Sequence, residues 1–154
     1  MKDLSNILFI DIETVSLTED YHDLPENLKS FWDKKAHYLK EYDGYNEQKL
    51  FFQKAGIFAE FGKIIVISIG QIFIDKEGDY CIKTKSFKSD NEKDLLLEFK
   101  SVLSKYPKNL LLCGHNIKEF DVPYLCRRML VNSIGIPEIL NMQGKKPWEI
   151  QHLD

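Results

Sequence analysis

Asn6-Ile7-Leu8-Phe9-Ile10-Asp11-Ile12-Glu13-Thr14 is the stretch from which the rest of the chain can be read. Four apolar, mostly strand-forming residues run straight into an Asp-x-Glu pair. A short continuous apolar run of this kind predicts a buried central strand. Alternate residues of a strand share a face, so Asp11 and Glu13 point the same way, roughly 6–7 Å apart along the chain, while Ile10 and Ile12 point the other way. Two carboxylates at the end of a buried strand are costly to hold unless a cation neutralises them. Hard oxygen ligands at that spacing suit Mg²⁺ or Mn²⁺. The competing reading is a solvated strand end where two acids sit without a ligand.

Composition bounds the rest. A chain of 154 residues with 44% hydrophobic content fits one domain with a real core, and 29% charged residues with a net charge of −3 describe an ordinary soluble protein. No window approaches the roughly 18 uninterrupted apolar residues of a membrane span. Met1-Lys2-Asp3-Leu4-Ser5-Asn6 lacks the features of a secretion signal. Cys81, Cys113 and Cys126 are odd in number, widely spaced and set in apolar sequence, which predicts buried free thiols and a cytoplasmic location with no membrane partner. The mild acidity neither supports nor excludes a nucleic-acid partner, because bound divalent ions add positive charge. The sequence carries no signal for an oligomeric state.

Outward from the first strand, residues 16–56 are polar, aromatic and charged and predict a helical insertion. One helix begins at Pro25 and runs to about Lys40, with Leu28, Phe31, Trp32, Lys35, Ala36 and Leu39 at helical spacing. Asp43-Gly44 breaks it, and Gln48 to Ala55 forms a second short helix. Phe31, Trp32 and Tyr38 are assigned to core packing, with stacking on the bases of a single strand as the alternative. Ile64 to Ile74 is the strongest strand signal, and a turn over Asp75–Asp79 returns it along Tyr80 to Phe87 as a hairpin. Ser89 and Glu92 are placed as a capping box before an amphipathic helix carrying Leu95, Leu96, Phe99, Val102, Leu103 and Tyr106. Leu110 to Gly114 predicts a short strand parallel to the first, since it follows a helical crossover.

The loop His115-Asn116-Ile117-Lys118-Glu119-Phe120-Asp121-Val122-Pro123 follows that strand. Pro123 belongs in a helix's first turn, so Asp121 falls at or just before the helix start, either as an N-cap or as a third carboxylate at the sheet edge where α/β proteins bind ligands. His115 is read as packed over the strand end in preference to titrating near a phosphate, and Asn116 as serving its own turn. Gly135, Pro137, Gly144 and Pro147 make the following region loop-rich, and Trp148–Asp154 begins a further strand.

This order of elements, with Asp-x-Glu on the first strand and a loop Asp after the fourth, resembles the DEDD 3′–5′ exonucleases. Their first motif is similar to Phe9-Ile10-Asp11-Ile12-Glu13-Thr14, and their second to Asn116 through Phe120-Asp121. The closer resemblance is to bacterial proteins related to the exonuclease domain of family-B DNA polymerases, through residues 59–65, 113–124 and 144–149. The resemblance implies an α/β, ribonuclease H-like mixed sheet with flanking helices, forming a single domain over residues 1–154. It also implies a metal-dependent 3′–5′ exonuclease acting on single-stranded DNA or the 3′ ends of nucleic acid, with two Mg²⁺ or Mn²⁺ ions. Asp11 then bridges both ions, Glu13 binds the first and positions the attacking water, and Asp121 holds the second. Thr14 is carried over as a substrate-binding residue, with His115, Asn116, Lys118 and Phe120 as further candidates around the second motif. Lys118, Arg127, Arg128, Lys145 and Lys146 cluster around that motif as candidates for backbone phosphates, and a solvated helix face explains Arg127 and Arg128 equally well.

One departure is large. The superfamily has a fourth acidic residue in a later Tyr-x-x-x-Asp or His-x-x-x-x-Asp motif, and nothing after Asp121 fits, His152 and Asp154 being too close together. The chain is therefore expected to lack the C-terminal part of such a domain, or to have lost catalysis, with very low or no turnover alone. Two alternatives stay open: an RNA 3′-end-trimming exonuclease of the same fold, and a non-catalytic nucleic-acid-binding or polymerase-associated module.

Overall fold

The opening apolar run forms β1, Ile7–Ser16, which extends past the Asp-x-Glu pair. The computed structural model describes residues 4–39 and 46–154, so the break expected at Asp43-Gly44 lies outside the described residues. β2, Gly62–Ile74, and β3, Tyr80–Lys88, form the expected antiparallel hairpin, with Ile67 opposite Phe87 and Ile74 opposite Tyr80. Its turn is closed by Asp75 N–H to the Asp79 carbonyl at 2.9 Å, with Gly78 at a φ of 90°. β4, Leu111–Cys113, runs parallel to β1, pairing Ile7 with Leu111 and Phe9 with Cys113. The sheet has four strands in the order β3-β2-β1-β4, so β1 is central as its apolar run predicts. This is the α/β mixed sheet with flanking helices that the resemblance implies.

Two compact units divide the chain: residues 14–64, and residues 1–13 with 65–154. In the larger unit, α3 (Glu92–Leu103) buries Leu95, Leu96, Phe99 and Leu103, the stripe expected from its spacing. Phe99 meets Phe87 of β3 edge-on at 5.6 Å between ring centroids. Its N-cap is Asn91, whose side chain accepts the Lys93 N–H at 2.9 Å; Ser89 instead accepts the Asn91 N–H. The expected Ser89–Glu92 capping box is thereby corrected. Glu92 faces Arg128 of α4 (Asp121–Val131), accepting from Nε at 2.9 Å and Nη2 at 2.6 Å, and it also accepts from Asn132 at 2.9 Å. A carboxylate with a fork-shaped guanidinium in reach forms a stronger bond than a local cap offers.

In the smaller unit, α1 (Glu26–Leu39) and α2 (Glu47–Lys54) match the expected helices. Their core is Trp32, Ala36, Leu50, Phe51, Ala55 and Phe61, with Leu24 alongside. The Trp32 ring stands edge-on to Phe51 and Phe61, and its N–H donates to the Glu47 carbonyl at 2.9 Å. Phe31 and Tyr38 are not in this core: they are 59% and 86% exposed. The buried stripe is set by Trp32 and Ala36 at i, i+4, and Phe31 lies about 100° round the helix from Trp32.

Candidate active site

Alternation along β1 sorts its side chains as the sequence predicts. Leu8, Ile10 and Ile12 are buried, whereas Asp11 and Glu13 are exposed. The chain between β4 and α4 then brings the third carboxylate in. Gly114 allows the close approach: a Cβ there would collide with the Ile10 carbonyl and the Ile117 side chain. Asn116 takes the left-handed conformation at φ 56°, which Asn tolerates better than most residues. Its carbonyl accepts the Phe120 N–H at 2.9 Å and the Glu119 N–H at 3.2 Å, and Val122 N–H closes on the Ile117 carbonyl at 2.9 Å. Asn116 thus has the turn role expected of it.

Asp121 is the first residue of α4; Phe120 occupies the cap position and makes no capping bond with its side chain. Asp121 Oδ1 accepts the Ile12 N–H at 3.0 Å, a partner 109 residues away. This places the carboxylate, 4% exposed, against the backbone between Asp11 and Glu13. Burial first, and then the charges of Asp11 and Asp154, hold the Asp121 carboxyl above the usual range; the Ile12 N–H works in the opposite direction.

The other predicted residues divide. His115 is exposed, so the packing expected for it over the strand end is not found. Its position directly after Gly114 puts it where the backbone leaves β4. Lys118 and Phe120 are half-buried, and the Phe120 ring leans on Tyr124 at 5.4 Å. Thr14 follows Glu13 on β1 and is half-buried. Arg128 is 5% exposed and committed to Glu92, so it is no phosphate ligand; its reach to a residue 36 positions away was invisible in the sequence. Lys146 lies over the Trp148 ring at 5.2 Å.

Sequence reasoning missed Asp154. Leu153 bridges Cys113 in parallel, so the further strand expected over Trp148–Asp154 is reduced to one bridge after a short helical turn at Pro147–Glu149. Beyond that bridge, Asp154 Oδ1 accepts the Ile117 N–H at 2.8 Å. His152 Nδ1 accepts the Leu112 N–H at 3.2 Å, which leaves Nε2 to donate to the Ile139 carbonyl at 2.9 Å. Period-2 spacing of His152 and Asp154 around Leu153 was the available signal.

The donor set has the chemistry of a divalent-cation site: Asp11, Glu13 and Asp121 supply hard oxygens at one sheet edge, and a cation would relieve the buried Asp121 charge. Among the described residues, no three His, Cys, Asp or Glu side chains converge closely enough in this geometry to hold one ion. A cavity of about 510 Å³ lies at the other end of β4, between Asn109–Leu111 and residues 137–152, and contains none of these carboxylates. No helix among the described residues is long and apolar enough to cross a membrane. The family described as DNA polymerase family B, exonuclease domain, matches residues 5–151. No curated protein matches the chain.

Proposed function

The chain belongs to the family of exonuclease domains of family-B DNA polymerases, and on that premise we propose that it removes nucleotides from the 3′ end of single-stranded DNA with the help of Mg²⁺ or Mn²⁺, with very low turnover because no Tyr-x-x-x-Asp or His-x-x-x-x-Asp motif follows Asp121 in these residues. The observation that carries this reading is the hydrogen bond from Ile12 N–H to Asp121 Oδ1, which joins the second acidic element to the backbone of the first. Asp11, Glu13 and Asp121 would hold the metal. When bound, two divalent ions supply an activated water and charge stabilisation on the leaving 3′-oxygen.

The chain's own residues prepare that chemistry. β1 presents Asp11 and Glu13 on one exposed face two residues apart, from which their side chains would turn toward Asp121 to share a metal. Burial of Asp121 keeps water from screening its charge and sharpens its preference for a cation. His115, Asn116 and Lys118, which lead into α4, lie on the turn that delivers Asp121, where a terminal nucleotide bound at the metal would pass. Thr14, next along β1 from Glu13, is the remaining candidate for the 3′ end.

A 5′-labelled strand tests the reading. With Mn²⁺ it shortens in single-nucleotide steps from the 3′ end, and Asp11→Ala abolishes the ladder. Faster trimming of an RNA strand of the same sequence would assign the activity to RNA. Binding of the strand with no shortening would assign the chain to the non-catalytic module.

A further inference from the structure

We infer that Asp154 is a positioning residue for Asp121: by accepting the Ile117 N–H it fixes the turn that opens α4, and so fixes where the Asp121 carboxylate meets β1. The inference rests on the reading of Asp11, Glu13 and Asp121 as a metal site, and it adds a fourth carboxylate whose work is on the backbone.

The turn over residues 114–122 is held from several sides. Internally, the Asn116 and Ile117 carbonyls accept the N–H groups of Glu119, Phe120 and Val122. Those bonds shape the turn without attaching it to the sheet. Attachment comes from the fully buried Ile117 side chain seated over Gly114, and from the Asp154 carboxylate on the Ile117 N–H at 2.8 Å. At the far end of the turn, Asp121 Oδ1 takes the Ile12 N–H at 3.0 Å. Ile117 and Asp121 are four residues apart, so a shift at the first moves the second. A bond from a backbone N–H to a carboxylate is among the stronger hydrogen bonds and is sensitive to angle, which suits it to fixing a turn.

Asp154 is itself held in place. Leu153 N–H donates to the Leu112 carbonyl at 2.8 Å, and Gly114 N–H donates to the Leu153 carbonyl at 3.3 Å. His152 fastens the same segment to Leu112 and Ile139. The Asp154 charge also reaches Asp121, adding to the pressure that keeps its carboxyl above the usual range. With its Oδ1 committed to Ile117, Asp154 acts on Asp121 through the turn.

The test uses the full chain with Asp154→Ala and Asp154→Asn, and reads hydrogen exchange at the Ile117 and Ile12 amides without metal. Asn keeps an oxygen for the Ile117 N–H, and Ala does not. The expected result is faster exchange at both amides in the Ala variant, by about tenfold, with wild-type rates in the Asn variant and no change in the β2–β3 hairpin. In the same samples Mn²⁺ affinity falls about tenfold or more in the Ala variant and is retained in the Asn variant. Exchange faster at Ile117 but unchanged at Ile12 would overturn the inference, since the turn would then move without Asp121. Equal losses in the Asn and Ala variants would also overturn it, because the charge and not the hydrogen bond would be what matters. If the wild type binds no Mn²⁺ while Ile12 responds as expected, the metal reading falls and the positioning role stands.

Discussion

Asp121 reaches back across 109 residues to accept the backbone N–H of Ile12 at 3.0 Å. The bond fixes a buried carboxylate beside two exposed ones, and it is made at a cost. With the carboxyl held above its usual range, chiefly by burial, the folded chain binds a proton there more readily than the unfolded chain. That contribution to stability is present below the ordinary carboxylate range and is lost as pH rises through the raised value. At neutral pH the ionised group therefore weighs against the fold. Asp121→Asn, which keeps an acceptor for Ile12, is expected to raise the Tm of metal-free protein by roughly 2 °C or more while abolishing nuclease activity. Calorimetry in chelator checks the first half and strand shortening the second. A lower Tm would contradict the account.

Arg128 and Glu92 form the buried ion pair that ties α4 to α3, with side chains only 5% and 10% exposed. Removing one partner leaves the other charged, buried and without its main neighbour. Arg128→Ala is expected to lose about 3–5 kcal/mol in urea denaturation. Replacing both residues with apolar ones of similar volume recovers most of that loss. A double variant as unstable as the single one would contradict this.

Gly114 sits where a Cβ would meet both the Ile10 carbonyl and the Ile117 side chain. Gly114→Ala is expected to cost about 1–3 kcal/mol, because β4's exit must move away from β1 or Ile117 must leave its seat. The Ile12 amide is the local reporter. Its exchange accelerates more than that of the β2–β3 amides if the displaced turn carries Asp121 with it.

His152 is held neutral, its ring basicity lowered first by burial. Its Nδ1 must stay unprotonated to accept from Leu112. The folded state thus binds a proton less readily than the unfolded state. The stabilisation is complete above the ordinary histidine value of 6.5 and declines as pH falls below it toward the lowered folded value. Urea midpoints at pH 7.5 and 5.5 are expected to differ in the wild type, and to differ less in His152→Gln. An equal pH effect in both would remove His152 from the explanation.

The parts legible in the sequence were those written in local order. Strand alternation alone placed Asp11 and Glu13 on one face with Ile10 and Ile12 on the other, and the hairpin and α3 followed from periods of 2 and 3.6. The illegible parts were pairings between distant residues. Ser89 and Glu92 satisfied the spacing of a capping box, but Arg128 competed for the carboxylate from 36 positions away. Asp121 looked equally like an N-cap or a sheet-edge ligand until its partner proved to be Ile12. Asp154 lies too close to His152 to complete a His-x-x-x-x-Asp motif, and its partner, the Ile117 N–H, is 37 positions away. Helical spacing places Phe31 with the core and Tyr38 is read as packing too, although the stripe is only wide enough for Trp32 and Ala36 with Leu28 and Leu39 at its margins.

The most direct test of the central claim is release of mononucleotides from a 3′-labelled single strand of DNA, with Mn²⁺ and with chelator, in wild type and in Asp11→Asn, Glu13→Gln and Asp121→Asn. Slow but measurable release by the wild type with Mn²⁺ is expected, with none in chelator and a loss of at least about 100-fold in each variant. Release that persists in chelator, or that survives in all three variants, would contradict it.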